Sequence, residues 1–235
     1  MNIVTIGTTY VDIKGYPHMH FVPTGRNVGD IKYFHGGVAR NVAEDVAALG
    51  ENSIFVSLTD ESGVALDVVK HLQAVNVNTE FIKAVPDGMG TWMAIFDNTG
   101  DLAASISKRP RLEAMCEILQ EQGKAIFSKA DAVLLEMDID EIIVAKAMEM
   151  AEVFKVPVYG VISNIHIAME RMAYIKKTAC FICNRQEAGI LFNANIDGVT
   201  PEGMLDLLGK NLLATGMQAM VTSAPLLLWK SSMAS

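Results

Sequence analysis

From residue 53 onward, short apolar runs alternate with segments of helical period, and this alternation constrains the fold more than any other feature. SIFVSL (53–58) reads as strand, Gly63–Ala74 as helix, and residues 78–82 as a further strand. Residues 91–97 and 103–107 form an expected hairpin around Asn98-Thr99-Gly100. Then come a helix over 113–127, the strand DAVLLEM (131–137), a helix over 140–154, and the strand VPVYGV (156–161). The strand CFICN (180–184), helices over 186–192 and 201–213, and the strand MQAMVTS (217–223) complete the series. NIVTIG (2–7) supplies one more strand at the start. Apolar runs without period-two alternation belong to strands buried on both faces, and helical crossovers make such strands parallel. The expected class is therefore α/β, a mostly parallel sheet covered by helices.

Composition narrows the function. At 235 residues the chain is long enough to bury a real core. The net charge of −8 argues against a phosphate-backbone binder, so no nucleic-acid partner is expected. Three cysteines make no disulfide framework, which points to a reducing, cytoplasmic setting. The greasiest stretch, residues 212–229, is interrupted by Thr215, Gly216, Gln218, Thr222, Ser223 and Pro225; it reads as a buried strand with flanks, not a membrane span. MNIVTIG lacks the basic and apolar regions of a signal peptide.

Residues 36–50 read GGVARNVAEDVAALG. Two glycines before a helix remove the steric barrier to close approach, and the free N–H groups of the first turn suit an oxygen-rich ligand. Asn41 lies in that turn and offers an amide. The plainer reading is a tight turn and an amphipathic helix, with Val38, Val42, Val46 and Leu49 on the buried face and Arg40 and Glu44 as a surface pair. Residues 10–35 look like short strands of an excursion from the core.

Other motifs carry less. Cys180 and Cys183, three apart in a strand, point to opposite faces and read as structural. His18 and His20 share one side of an expected strand without a third ligand, and read as surface or flap residues. In EMDIDE (136–141), Asp140 and Glu141 favour the start of the next helix, whereas Asp138, at a strand end, stays open as a ligand for hydroxyls or a hydrated cation. Asn184 and Glu187 have the spacing of a capping box and equally sit where a ligand would meet the sheet.

Taken together, NIVTIGTTYVDIKG, GGVARNVAEDVAALG, Thr59-Asp60-Glu61-Ser62-Gly63, Gly90-Thr91, the strand from Ala130 to Asp138 and Asn184-Arg185-Gln186-Glu187 resemble the PfkB/ribokinase family of sugar and nucleoside kinases, in consistent order over most of residues 1–222. VDIKG with TGRNVGDIKYFHGGVARNVAE looks most like the pseudouridine kinases, although Arg26-Asn27-Val28-Gly29 replaces the Ser-Asn-Pro-Gly common there. The resemblance implies a ribokinase-like three-layer α/β/α fold in one domain, with a small β lid from about 11–35 and 91–107. It implies transfer of phosphate from ATP, with Mg²⁺, to a hydroxyl of a sugar or nucleoside. Asp12 would accept from sugar hydroxyls, Gly36 and Gly37 would admit the sugar and hinge the lid, and Asn41 would contact the sugar. Asp138 falls where many members carry a substrate-side glutamate, and Asn184 with Glu187 match the N-x-x-E motif that organises Mg²⁺ and phosphate.

The family's downstream D-T-x-G-A-G-D segment, whose last aspartate is the base, does not occur among these residues. Residues 226–234 have one possible encoding that, read one base over, gives AAVEEQHG, which looks more like a family strand; the expectation is a frame change and a truncated domain. Two alternatives to a working kinase follow: a binding-only sugar or nucleoside module, or a non-functional fragment. An open sheet edge and uncovered apolar surface are expected to make the chain associate, with a homodimer through the lid or that edge as one form.

Overall fold

The computed structural model describes residues 1–212, 218–223 and 226–230. They fall into two compact units: Gly7–Met115, and Met1–Ile6 with Cys116–Ser235. The chain begins on β1 (Asn2–Ile6), which belongs to the second of these.

The Gly7–Met115 unit opens with two antiparallel strands, β2 (Tyr10–Pro17) and β3 (Gly29–Gly36), paired from Tyr10↔Gly36 to Pro17↔Gly29. The helix α1 (Val38–Ala48) follows at once. Next come β4 (Asn52–Thr59), buried from Ser53 to Thr59, and α2 (Gly63–Ala74), whose N-cap Ser62 accepts from the Ala65 N–H at 3.2 Å. The helices α1 and α2 pack on β4 through Ala39, Ala43, Phe55, Val68 and Leu72. This core corrects the expected face of α1. Ala39, Ala43 and Val46 are buried while Leu49 is 82% exposed. Alanine lets the helix backbone approach β4 closely enough for the Ser53 hydroxyl to donate to the Ala43 carbonyl at 2.7 Å, so small residues outcompete valine for the contact line.

The strand expected over 78–82 is two short ones, β5 (Val77–Asn78) and β6 (Ile82–Ala84), each parallel to β4. The Asn78 carboxamide accepts from the Glu80 N–H and turns the chain between them. The hairpin forms as expected: β7 (Gly90–Phe96) and β8 (Leu102–Lys108) join through a turn in which Asp97 Oδ1 accepts from the N–H groups of Thr99 and Asp101. β7 runs parallel to β2, giving a four-stranded sheet in the order β3-β2-β7-β8. The excursions near 11–35 and 91–107 are thus a single sheet. His18 and His20 lie beyond the end of β2 instead of within a strand, and His18 pairs with Asp30 at 3.3 Å.

The helix α3 (Glu113–Phe127) leads into the second unit. Its sheet runs β1, β9 (Ala132–Glu136), β10 (Val158–Val161), β11 (Cys180–Asn184), β12 (Gln218–Ser223) and β13 (Leu226–Lys230). All neighbours are parallel except β12 and β13. The crossovers are α4 (Glu141–Phe154), the short α5 (Ile165–Met169) and α6 (Met172–Ile175), α7 (Arg185–Leu191) and α8 (Pro201–Leu212). β10 starts two residues later than expected because Lys155, at φ 57°, closes α4 and the Val156 N–H still bonds the Ala151 carbonyl. The helices α5 and α6 are too short to show a period in sequence. Residues 213–217, 224–225 and 231–235, including Met217 and the end of the segment expected to result from a frame change, lie outside the described residues. Among the described residues no helix is long and apolar enough to cross a membrane.

Candidate functional site

The diglycine lies where β3 becomes α1. Gly37 is the N-cap at φ 97°, ψ 125°, a conformation that L-residues rarely adopt. A Cβ there would stand 2.6 Å from the Thr8 carbonyl oxygen, so the backbone packs against backbone. Gly36 has a different reason to be glycine: its added Cβ would meet the Asp12 carboxylate, with Oδ1 at 2.5 Å. The half-buried Asp12 therefore rests directly on the Cα of the first glycine. Asn41 sits on the exposed side of the first turn, its N–H donating to the Gly37 carbonyl at 3.0 Å. The structure thus sets Asp12 against Gly36 within one unit, with Gly37 packed on Thr8 and Tyr10 beside it and Asn41 a turn away.

Arg40 is the residue that sequence reasoning misjudged. Its pairing with Glu44 is present, but Arg40 is only 5% exposed and not a surface residue. The guanidinium curls back to donate to the carbonyls of Gly36, at 3.1 Å, and His35, at 3.0 Å. Those carbonyls belong to the last two residues of β3, directly before the helix, and a five-donor fork is a suitable partner for both. Glu44 also contacts His71 of α2 at 3.0 Å, and His35 contacts Asp67 at 3.0 Å. Partial burial works to raise the Glu44 carboxyl, but the His71 hydrogen bond and the positive charges of Arg40 and His71 outweigh it and hold the group below its usual 4.5. The sequence signal was available: Arg40 stands four residues after Gly36, within reach of its carbonyl.

Three further side chains share the Asp12 face of the sheet. Phe34 and Trp92 are the register partners of Asp12 on β3 and β7, and Lys14, two residues along β2, points to the same side. The Lys14 ammonium lies 3.6 Å from Asp12 Oδ2, 4.8 Å from the centre of the Phe34 ring and 5.6 Å from that of Trp92.

The other expected site residues belong to the second unit. Asp138 follows β9 and is 4% exposed; Ser163, just after β10, donates to it through its N–H at 2.8 Å and its hydroxyl at 2.5 Å. Nothing in the sequence around Ser163 announces that partnership. Asp140 is the N-cap of α4 without a side-chain cap bond, and Glu141 occupies the first turn. Asn184 and Glu187 form a complete capping box at the start of α7: Asn184 accepts from the Glu187 N–H at 2.9 Å, and Glu187 accepts from the Asn184 N–H at 2.6 Å. Cys180 and Cys183 are buried, and burial pushes both thiols up, Cys183 to about 12, which suits a structural role. No group of three metal-ligating acids, histidines or cysteines occurs among the described residues. A single carboxylate, Glu187, with one oxygen engaged by its cap, fits magnesium only in the mode where waters and substrate phosphates supply the remaining ligands.

Residues 1–224 match the model of the pfkB family carbohydrate kinases. The chain is 31% identical over 195 residues to the guanosine-inosine kinase of Exiguobacterium acetylicum, covering 83% of this chain and 64% of that protein. It is 26% identical over 159 residues to the pseudouridine kinase of Escherichia coli K12, covering 67% of this chain and 50% of that protein. It therefore spans about half to two thirds of the length of these curated relatives. Its fold matches the Arabidopsis thaliana ribokinase solved with ribose and ATP, with a TM-score of 0.79 and 17% identity, covering 98% of this chain and 77% of that one. The architecture is thus a ribokinase-like α/β fold, and the chain belongs to the pfkB family of carbohydrate kinases.

Proposed function

We propose that these residues form the substrate-side part of a kinase that transfers the γ-phosphoryl group of ATP to a hydroxyl of a nucleoside. The observation that carries this reading is the seating of Asp12 on Gly36, which sets a carboxylate against bare backbone at the head of α1. A carboxylate accepts hydrogen bonds only, so its natural partners are the vicinal hydroxyls of a ribose. The glycines give a sugar ring room to reach the backbone, and Asn41 supplies an amide at the rim. In this reading Asp138, held by Ser163, serves the substrate, and Asn184 and Glu187 order magnesium-bound phosphate. Magnesium would supply charge neutralisation on the phosphates. The curated relatives' names favour a nucleoside over a free sugar, and the higher identity to the guanosine-inosine kinase makes a purine nucleoside as admissible as pseudouridine.

In the transfer, the acceptor oxygen forms a bond to the γ-phosphorus as the bond to the β-phosphate oxygen breaks, and the hydroxyl proton leaves to a base. The D-T-x-G-A-G-D segment that supplies this base in the family is not among the 235 residues. Binding is therefore the property expected of these residues by themselves, and turnover that of a chain carrying the segment. Inosine, guanosine, pseudouridine or ribose at one hundred times its Kd should stabilise the protein by about 2.7 kcal/mol, read as a rise in Tm. Asp12→Ala should weaken binding on the order of a hundredfold, the effect of losing charged hydrogen bonds to two hydroxyls. An unchanged Tm with every ligand, or undiminished binding by Asp12→Ala, would remove Asp12 from the site.

Self-association is part of the same reading. The face of the lid sheet opposite Asp12 exposes Ile31 at 67% and Ile106 at 74%, together with Tyr33 and Met93, and Ile31 and Met93 line a hollow of about 350 Å³. Such a patch is unusual on a monomer and suits a second copy of the chain. Sedimentation should show a species of at least twice 25.5 kDa, reduced to a monomer by Ile31→Lys with Ile106→Lys; a monodisperse wild-type monomer would contradict the assignment.

A further inference from the structure

We infer that Lys14, Phe34 and Trp92 form a nucleobase platform that selects bases presenting a carbonyl oxygen. The inference rests on the nucleoside reading above and goes beyond it in naming the base chemistry. Phe34 and Trp92 flank Asp12 on the neighbouring strands, and both rings approach the same ammonium, at 4.8 and 5.6 Å. An ammonium is drawn to the face of a ring, not its edge, so the two π-faces look into one space. That space adjoins the carboxylate assigned to the ribose, since Lys14 also lies 3.6 Å from Asp12. A flat, polarisable group attached to the sugar is what such a space accepts, and stacking on one aromatic contributes about 1–3 kcal/mol for a base.

Lys14 adds the selectivity. Its three N–H groups donate and none accepts, so it complements a carbonyl oxygen and opposes an exocyclic amine. A 6-oxopurine or uracil presents the oxygen; adenine presents an amine at the equivalent carbon. When the base enters, the ammonium leaves the ring faces, keeps its ion pair with Asp12, and donates to the base edge. Phe34, 42% exposed, leaves the platform open to solvent on one side, so the entry requires no unfolding of the lid. Asp12 and Lys14 share a face of β2, and both register partners of Asp12, Phe34 and Trp92, are aromatic.

The test uses Trp92 as its own reporter. The chain has two tryptophans, so Trp229→Phe leaves Trp92, on the platform, as the single tryptophan. Inosine should quench its emission and ribose should not. Inosine should bind at least about tenfold more tightly than adenosine, the worth of one charged hydrogen bond. Lys14→Met, which keeps the stem and removes the donors, should bring the two nucleosides within about threefold by weakening inosine relative to adenosine. Trp92→Leu should weaken both nucleosides about tenfold or more and leave ribose alone. Equal binding of inosine and adenosine by the wild type, absence of quenching, or a ratio unmoved by Lys14→Met would overturn the platform while leaving the sugar site standing. Failure of ribose and every nucleoside to bind would instead overturn the reading on which the platform rests.

Discussion

Gly37→Ala should destabilise the protein by about 2–6 kcal/mol, a large share of the total stability of a domain. Two independent costs combine there. A φ of 97° places an L-residue in a region that costs on the order of 1–3 kcal/mol. The new methyl also stands 2.6 Å from the Thr8 carbonyl oxygen and 3.1 Å from the Tyr10 nitrogen, and these are backbone atoms of the chain entering β2. A side chain turns aside from such a clash; a backbone moves only by dragging its strand, which adds a further ~1–3 kcal/mol. Gly50→Ala separates the two costs, because Gly50 has φ 83° and no neighbour within 4 Å of an added Cβ. It should lose only about 1 kcal/mol in denaturant unfolding. Equal losses at the two positions would show that close packing at Gly37 contributes nothing. Gly36→Ala should act differently again: the obstructing atom belongs to the Asp12 side chain, so stability changes little while the carboxylate, and ligand affinity with it, is displaced.

These contrasts show what the sequence could and could not reveal. Strand and helix placement follows from apolar runs and capping residues, so α2, α3 and the hairpin emerge where the residues predict them. The contact line of α1 does not, because hydrophobicity ranks Val42 and Leu49 above Ala39 and Ala43. Burial there is decided by how closely the helix must approach β4, a tertiary quantity. Asp12, Gly36 and Gly37 were identifiable as a group through topology and family resemblance; the contact of Asp12 with Gly36 depends on β2 and β3 pairing in a register that sets Tyr10 opposite Gly36. Asn184 and Glu187 show the opposite case. Their spacing predicts a capping box and the structure contains one, so local helix chemistry explains both residues before any phosphate does. A capped helix N-terminus is also a suitable place for an anion, and the two roles do not compete for the remaining N–H groups of the turn.

Arg40→Met should cost about 2–3 kcal/mol, lowering the Tm by roughly 5–10 °C for a chain of this size. Methionine keeps much of the buried stem, so the loss is that of the guanidinium. Without it the carbonyls of His35 and Gly36 lose their side-chain donors, and Glu44 retains only His71. The figure lies below the full range for a broken buried pair because Glu44 is 30% exposed and water compensates part of its loss. The pH dependence identifies the cause. Glu44 is held below 4.5 in the folded protein, so the unfolded chain binds its proton first as pH falls. Its contribution is therefore complete above about pH 4.5 and disappears as pH drops through the lower folded value. The gap between wild type and Arg40→Met, measured by denaturant unfolding, should be widest near pH 7 and should narrow as Glu44 is protonated. Arg40→Lys should recover the charge but not the fork, restoring the pH-dependent part more fully than the part independent of pH. A gap constant from pH 7 into the acid range would mean that Arg40 acts by packing and carbonyl capping alone, with the ion pair contributing nothing. A gap that closes would mean that the charge on Glu44 helps hold the turn on which Asp12 rests.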